Sequence, residues 1–233
     1  MSKILIKGFE KTSLVDWPPY CVSVVFTPYC NFRCEFCHNW QLVLDPDSLP
    51  TIPESTVFDF LRQKKDWIDG VCITGGEPLL QPDLIEFAKK LKSLGFPVKL
   101  DTNGSLPDKL KEAINSGVID YVAMDVKAPP KKYIELCKTK AADPNIIKES
   151  IELIKNSPVD YEFRTTVLPG FTEKDIKEIC EFIGRAKRYC LQQFIPRDTL
   201  VGTKFLNATP LPKEKLKQFS LIATPYFKEV IVR

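Results

Sequence analysis

Short apolar runs recur along this chain and alternate with segments of helical period. The first run, CVSVVF at 21–26, is apolar at nearly every position, which is typical of a strand buried on both faces. Five further runs, each followed by turn residues or a helix signal, lie at 71–74, 97–102, 121–126, 161–168 and 190–195. We therefore predict six parallel strands joined by helices, an α/β fold that is either an open doubly wound sheet or a barrel.

The connecting segments carry the signals of amphipathic helices. Two apolar stripes have the i, i+3, i+4, i+7 spacing of one helix face; they consist of Leu84, Phe87, Ala88 and Leu91, and of Ile176, Ile179, Cys180 and Ile183. Residues suited to a first helical turn stand near positions 53, 81, 106, 143 and 172. The proline-punctuated segment 196–215 is typical of a lid or a partner-facing loop. A last helix and the strand KEVIVR at 228–233 complete the prediction.

Charge and hydropathy exclude several classes of protein. The 33 Lys and Arg nearly balance the 30 Asp and Glu, so the chain lacks the basic excess of a nucleic-acid-binding protein. No apolar stretch is long enough to span a membrane, and the first 19 residues show no leader pattern. We therefore expect a cytoplasmic protein, in which clustered cysteines are metal ligands or catalytic thiols rather than disulfides.

One loop, CNFRCEFCHN at 30–39, holds three of the eight cysteines and the only histidine, His38. Cys30, Cys34 and Cys37 directly follow the first predicted strand, at the end where α/β folds place their working residues. Three thiolates in one loop suit a four-iron, four-sulfur cluster in which one iron lacks a protein ligand and can coordinate a substrate. The alternative is a structural zinc site completed by His38 or a distant cysteine. The other cysteines, expected to be small buried apolar residues, are Cys21, Cys72, Cys137, Cys180 and Cys190.

The second predicted strand ends in TGGEP at 74–78. The paired glycines, Gly75 and Gly76, let a ligand approach the backbone, and Glu77 offers an acceptor for an amino group. The same letters also fit an ordinary strand-to-helix turn.

The C-x3-C-x2-C loop followed by GGEP resembles the radical S-adenosylmethionine (radical SAM) superfamily. That resemblance implies a partial six-unit (β/α) TIM-like barrel and a [4Fe-4S] cluster held by the three cysteines. It also implies that the open iron is chelated by the amino and carboxylate groups of S-adenosylmethionine, with Gly75, Gly76 and Glu77 at the amino group. We expect one domain over 1–233, with an N-terminal extension at 1–20, the barrel core at 21–195, and a lid or partner-facing segment with the last strand at 196–233.

Five shorter motifs refine the resemblance: TSLVDWP at 12–18, CHN at 37–39, DTNG at 101–104, MDVK at 124–127 and RTTVLPG at 164–170. They resemble the activases of glycyl radical enzymes, and most of all the branch that activates anaerobic ribonucleotide reductase. The implied reaction is reductive cleavage of S-adenosylmethionine to a 5'-deoxyadenosyl radical, which removes a hydrogen atom from a glycine of a partner enzyme. The implied electron donor is of the flavodoxin or ferredoxin type. The chain departs from that branch in reading DWPPYC instead of DWPG, and in having Tyr29 instead of glycine before the first cysteine.

The resemblance also assigns roles within the motifs. Asp125 and Lys127, two apart on a strand and so on one face, would bind the cofactor's methionine carboxylate, and Asp101 would lie by the ribose with a monovalent cation. Arg164 and Arg197 end strands, where a guanidinium can clamp a carboxylate or orient a partner. The implied cofactor contacts are Phe36, Cys37, His38, Gly75, Gly76, Glu77, Asp101, Asn103, Asp125, Val126, Lys127 and Arg164. For the charged residues, a structural ion pair is the alternative.

Two rival functions follow from the same motifs. A small-molecule enzyme such as 7-carboxy-7-deazaguanine synthase shares the cysteine loop and GGEP, but that family tends to have Asp-Thr where this chain has His38 and Asn39. This difference favours an activase. A noncatalytic zinc-binding interaction domain is the rival from another class.

Overall fold

The computed structural model describes residues 4–233, which form an α/β fold. Its strands are β1 (Gly8–Ser13), β2 (Val22–Thr27), β3 (Gly70–Gly75), β4 (Val98–Thr102), β5 (Tyr121–Asp125), β6 (Asp160–Val167), β7 (Ala186–Gln193) and β8 (Phe227–Val232). Its α-helices are α1 (Trp40–Leu44), α2 (Glu54–Gln63), α3 (Leu84–Ser93), α4 (Pro107–Asn115), α5 (Tyr133–Cys137), α6 (Pro144–Lys155), α7 (Glu173–Ile183) and α8 (Lys213–Ala223). Short 3-10 turns occupy Pro46–Ser48, Pro78–Leu80 and Pro130–Lys132.

The strands hydrogen-bond in chain order, from β1 to β8. β1 runs antiparallel to β2, whereas β2 is parallel to β3 and β3 to β4, and β6 is parallel to β7 and β7 to β8. A doubly wound sheet would reverse its strand order at a switch point, and this sheet does not. Sequential order is the topology of a (β/α) barrel, which confirms the predicted fold class.

Five of the six predicted parallel strands match the observed bounds within one or two residues, because β2 to β6 are each buried along most of their length. The prediction for the sixth strand was wrong at its start, because β7 begins at Ala186 rather than at 190. Lys187 and Arg188 are charged and at least partly exposed, so the start of β7 carries no apolar signal. β1 was not predicted, and its exposed, charged residues explain why. The predicted last strand is β8.

The five predicted helix starts are confirmed in α2, α3, α4, α6 and α7. Thr172 and Asp175 form a reciprocal capping box at the start of α7, in which each side chain bonds the other's backbone N–H. The Asp143 side chain caps α6 by accepting from the Asn145 N–H. The stripes at 84–91 and 176–183 are buried, as their spacing predicts.

The residues group into two compact units that interleave along the sequence. The first comprises the chain up to Cys30, Asn39–Thr102 and Asp108–Val122; the second comprises Asn31–His38, Asn103–Pro107 and Ala123–Arg233. Each has a core of fully buried apolar side chains, which include Val24, Ile73 and Phe87 in the first and Ile151, Ile179 and Phe219 in the second. The assignment of 1–233 to one domain stays a prediction. Across residues 4–233 no helix has the length and apolar character that crossing a bilayer requires.

Candidate functional site

The cysteine loop begins directly after β2, as predicted. Cys34 is buried and Cys30 and Cys37 are partly buried, and none of the three is in a disulfide. In the second unit, the Asn31 side chain is bonded to two residues of the DTNGS turn: it donates to the Ser105 hydroxyl at 2.8 Å and accepts from the Asn103 amide at 3.0 Å. The side-chain Oδ1 of Asn103 accepts in turn from the Ser105 N–H at 2.9 Å and from the Ser105 hydroxyl at 2.6 Å. Asn103, predicted as a cofactor contact, therefore positions the loop that carries the cysteines.

The thiol of Cys34 shares a hydrogen bond with Cys137, the last residue of α5. That bond, followed by burial, raises the pKa of Cys34 well above its usual value. The backbone joins the same two segments, since the Arg33 N–H donates to the Cys137 carbonyl at 2.9 Å. Within residues 4–233, no three His, Cys, Asp or Glu side chains converge as a metal site would require. The Cys34 thiol is bonded to Cys137, and the three thiols of the loop do not converge on one point.

The chain after β7 packs against the far end of the cysteine loop. The His38 imidazole Nε2 lies 2.7 Å from the Ile195 carbonyl oxygen, and the ring stacks on Phe194 at 5.7 Å between centroids. Phe36 is buried and meets Phe205 edge-on at 6.3 Å. Phe36 thus rests on the segment 196–215 predicted as a lid or partner-facing loop, whereas His38 rests on the two residues just before that segment. Neither Phe194 nor Phe205 had a sequence signal.

The backbone of that segment also joins the loop. The Val201 N–H donates to the Cys37 carbonyl and the Gly202 N–H to the Glu35 carbonyl, each at 3.1 Å. A Cβ at Gly202 would lie 2.7 Å from the Cβ of Glu35, so only glycine permits this approach.

In the first unit, the GGE turn closes tightly on the end of β2. A Cβ at Gly76 would lie 1.9 Å from the Tyr29 carbonyl oxygen, and one at Gly75, where φ is +119°, would lie 2.4 Å from that of Thr27. The Gly76 N–H donates to Thr27 and the Glu77 N–H to Tyr29, both at 2.8 Å. The glycines therefore permit close contact between backbone segments of the protein. The approach of a ligand to this backbone stays a prediction.

Tyr29 itself has φ of 67°, in the left-handed region that favours glycine. The glycine that the activase branch has at this position would adopt that conformation without strain. In this chain the tyrosine keeps it: its N–H donates to the Leu42 carbonyl at 2.8 Å, and its hydroxyl donates to Asp47 at 2.9 Å. The departure in sequence therefore leaves a backbone conformation that suits the family's glycine.

Glu77 is fully buried, and its Oε1 is already bonded within the protein. It accepts from the Thr102 hydroxyl at 2.8 Å and from the Leu79 N–H at 3.2 Å. The side chain therefore braces the turn against the end of β4. Asn39 adds a second brace, since its amide donates to the Gly75 carbonyl at 2.7 Å.

In the second unit, three charged side chains meet beside the end of β5. The prediction that Arg164 ends a strand was wrong: it lies in the middle of β6, because β6 continues to Val167. Asp125 accepts from Lys127 at 3.1 Å and from Arg164 at 2.8 Å. Burial raises the pKa of Asp125, but the positive charges of Arg164 and Lys127 outweigh it and hold the pKa well below its usual value. Burial lowers the pKa of Lys127, but Asp125 outweighs that effect and raises it well above its usual value. The trio carries two positive charges and one negative, and so retains one positive charge.

The remaining predicted residues are placed as follows. Val126 is buried; its N–H donates to the Arg164 carbonyl at 2.8 Å and its carbonyl accepts from Thr165 at 2.6 Å, so it joins the end of β5 to the middle of β6. Arg197 is exposed, and the prediction that it ends a strand was wrong, because β7 ends at Gln193. Asp101, in the first unit, forms a 2.5 Å ion pair with Lys99, a residue that the sequence analysis passed over.

The donor set suits the cluster that the resemblance implies. Thiolates are the usual ligands of iron–sulfur clusters, and the three cysteines stand on one loop with none of them in a disulfide. The loop is fixed at both ends by the contacts of Asn31 and of Cys37, which would keep it in place as the thiols turn toward a metal.

Comparison with known proteins agrees with this chemistry. The model of the radical SAM superfamily matches residues 24–183. A protein of Methanocaldococcus jannaschii, named on a provisional basis as a glycyl-radical enzyme activating enzyme, is 37% identical over 238 residues, which cover 99% of this chain and 96% of that protein. The pyruvate formate-lyase-activating enzyme of Listeria monocytogenes is 31% identical over 201 residues, 78% of each chain. A crystal structure of a domain of pyruvate-formate lyase-activating enzyme from Bacteroides vulgatus has the same fold, with a TM-score of 0.53 and 22% identity over 70% of this chain and 98% of that one.

Proposed function

The chain belongs to the radical SAM superfamily, and on that premise we propose that it generates a glycyl radical on a partner enzyme of the anaerobic ribonucleotide reductase type. The observation that carries the proposal is the 37% identity with the Methanocaldococcus jannaschii protein across 99% of this chain. Similarity over the full length supports a shared reaction better than a match to the cysteine loop alone. The motifs TSLVDWP and DTNG support the choice of target.

Cys30, Cys34 and Cys37 would hold a [4Fe-4S] cluster, and S-adenosylmethionine would bind beside it. When bound, the cluster would supply one electron that splits the sulfonium into methionine and a 5'-deoxyadenosyl radical, which takes a hydrogen atom from the α-carbon of the partner's glycine. The residues of this chain bind, orient and shield the reactants. Because this hydrogen transfer needs no general base, a single histidine suffices.

The charge trio suits the carboxylate of the cofactor's methionine moiety. Lys127 and Arg164 are held on either side of Asp125, and the net positive charge that remains would attract a second carboxylate. An unpaired ammonium in this partly buried place would be costly, so Asp125 keeps the trio in place before the cofactor arrives. We expect Asp125 to act as a positioning residue.

The glycine turn would receive the cofactor's amino group. Because Gly75 and Gly76 lack side chains, a ligand can approach the backbone there, and Glu77 and Asn39 fix the orientation of the turn. We propose that backbone carbonyls, rather than the braced Glu77 carboxylate, are the acceptors. His38 and Phe36 would line the adenine side and would depend on Phe194 and Phe205 for their orientation.

Neither of the two rival functions gains support from the observations. Membership of the radical SAM superfamily speaks against a noncatalytic zinc domain, and no observed contact favours the 7-carboxy-7-deazaguanine synthase reaction. We propose a flavodoxin or a ferredoxin as the electron donor, since either supplies single electrons at low potential. The segment 196–215 contacts the cysteine loop through Val201 and Gly202, which supports a role as a lid.

The proposal is tested by anaerobic reconstitution with iron and sulfide, chemical reduction, and addition of S-adenosylmethionine with an anaerobic ribonucleotide reductase. Electron paramagnetic resonance should show the doublet of a glycyl radical in the reductase, and pyruvate formate-lyase added instead should give a weaker signal. No radical in any glycyl radical enzyme, together with turnover of a pterin substrate, would replace the proposal with the small-molecule reaction. Stoichiometric zinc without sulfide would refute both.

A further inference from the structure

A lysine lies fully buried in the middle of β4, where an ammonium is rarely found. Lys99 has none of its side chain exposed to solvent, and its Nζ donates to Asp101 Oδ1 at 2.5 Å. The same Nζ lies 3.7 Å from the Cys72 sulfur. Lysine is almost never fully buried unless it is paired, because removing its charge from water costs several kcal/mol.

The strand geometry explains how these groups meet. Lys99 and Asp101 are two residues apart on β4, so their side chains point to the same face of the sheet. Cys72 is the register partner of Lys99 on β3 and shares that face. A side-chain ammonium is thereby fixed beside the carboxylate at the end of the strand.

The carboxylate of Asp101 is the group at which the sequence resemblance places a monovalent cation and the cofactor's ribose. A monovalent cation binds at a carboxylate because its positive charge balances the negative charge of the carboxylate. Lys99 already supplies one positive charge at 2.5 Å, and a second cation would have to overcome its repulsion. The next residue, Thr102, donates to Glu77, so a shift of Asp101 would also move the brace of the glycine turn.

We propose that Lys99 is the built-in counter-cation of Asp101, so that this protein binds S-adenosylmethionine without a free monovalent cation. The inference rests on the proposed use of that cofactor and names Lys99 as a positioning residue. Lys99 orients Asp101 for the ribose and balances its charge, and it does not contact the reacting atoms.

The experiment measures S-adenosylmethionine affinity by isothermal titration calorimetry on the anaerobically reconstituted holoenzyme. Potassium chloride is varied from zero to about 100 mM, and tetramethylammonium chloride, whose cation is too bulky for the site, keeps ionic strength constant. For the native protein we expect the dissociation constant to change by less than twofold. An increase in affinity of fivefold or more on adding potassium would overturn the proposal.

The variant Lys99→Met removes the ammonium and keeps a side chain of similar length. We expect its affinity in tetramethylammonium to fall at least tenfold, and potassium, sodium or ammonium to recover most of the loss. A loss that no monovalent cation recovers would make Lys99 a purely structural residue and refute the proposal. The matched control is Lys92→Met, which removes another lysine of the same unit whose Nζ is 2.5 Å from an aspartate, Asp120. That control should bind the cofactor as the native protein does, with or without potassium.

Should Lys99→Met fail to fold, the titration of the native protein still decides, and Lys99→Arg gives a second reading. Arginine keeps the charge, so the proposal predicts cation-independent binding in that variant, and potassium dependence there would contradict it. None of these readouts needs a partner enzyme. A protein that binds the cofactor without potassium but yields no glycyl radical would refute the proposed function and leave this inference intact.

Discussion

The tight approach of Gly76 to Tyr29 allows a quantitative prediction for Gly76→Ala. The new Cβ would start 1.9 Å from the Tyr29 carbonyl oxygen and must move to roughly 3.5 Å, so the two backbones must separate by about 1.5 Å. That shift would break the hydrogen bond from the Glu77 N–H to Tyr29, worth about 1 kcal/mol, and overpacking adds about 2 kcal/mol. We expect a loss of about 3 kcal/mol in the free energy of unfolding.

Chemical denaturation of the cluster-free protein measures that loss, and calorimetry on the reconstituted protein measures cofactor affinity. Because the displaced turn is the proposed site of the cofactor's amino group, affinity should fall at least tenfold, which corresponds to about 1.4 kcal/mol. The control is Gly117→Ala, where φ is +71° and nothing lies within 4 Å of the new Cβ. It should cost only about 1 kcal/mol, from the left-handed backbone, and leave affinity unchanged. A Gly76→Ala protein with native stability and native affinity would refute the account of this turn.

Three further changes separate the roles of neighbouring groups. Cys34→Ala should abolish incorporation of iron and sulfide, whereas Cys137→Ala, which removes only its hydrogen-bonding partner, should still bind about four irons; elemental analysis and the visible spectrum distinguish them, and equal loading in both would contradict the ligand assignment. Asp125→Asn should weaken cofactor binding, and its free energy of unfolding should fall less than that of the native protein as the pH is lowered. The depressed pKa of Asp125 contributes stability above pH 4 that is lost as the pH falls further. Equal acid denaturation in both proteins would contradict the pairing. Burial raises the pKa of Cys180 to about 12, so its thiol favours folding at neutral pH and that contribution is lost as the pH rises above about 8.5. Cys180→Ala should therefore lose less stability than the native protein between pH 8 and 10. An unchanged slope of unfolding free energy against pH would count against this burial effect.

The elements that were predictable from sequence are those whose burial leaves a local pattern. β2 reads as an apolar run because both of its faces are covered, and α7 is marked by its stripe and by the Thr172 cap. β1 escaped prediction because it is an edge strand that exposes its charged residues, and edge strands carry little apolar signal. The start of β7 escaped for a different reason: β7 lies inside the sheet, but Lys187 and Arg188 near its start are charged and at least partly exposed.

The site was predictable where spacing alone brings residues together. Asp125 and Lys127 form the ion pair that their separation of two residues predicts. The GGEP glycines lie against the backbone of Thr27 and Tyr29, a contact that the motif alone does not predict. The contacts of Cys34 with Cys137 and of His38 with Phe194 join residues more than 100 positions apart, and nothing in either segment marks the other.

Tyr29 and Lys99 show two different limits. The tyrosine departs from the glycine of the resembling branch, yet it adopts the left-handed backbone conformation that such a glycine favours. The change of residue therefore does not show that the backbone conformation is different. Lys99 was passed over because a lysine in a strand is ordinarily an exposed residue, and only the fold shows that it is buried against Asp101.

Transfer of a single hydrogen atom from the partner's glycine is the central claim, and isotope labelling tests it directly. An anaerobic ribonucleotide reductase prepared with glycine deuterated at the α-carbon is mixed with the reduced, reconstituted protein and S-adenosylmethionine. Mass spectrometry of the 5'-deoxyadenosine should show one deuterium for each glycyl radical formed. Deoxyadenosine that forms without deuterium while the radical appears, or no deoxyadenosine at all, would contradict the account.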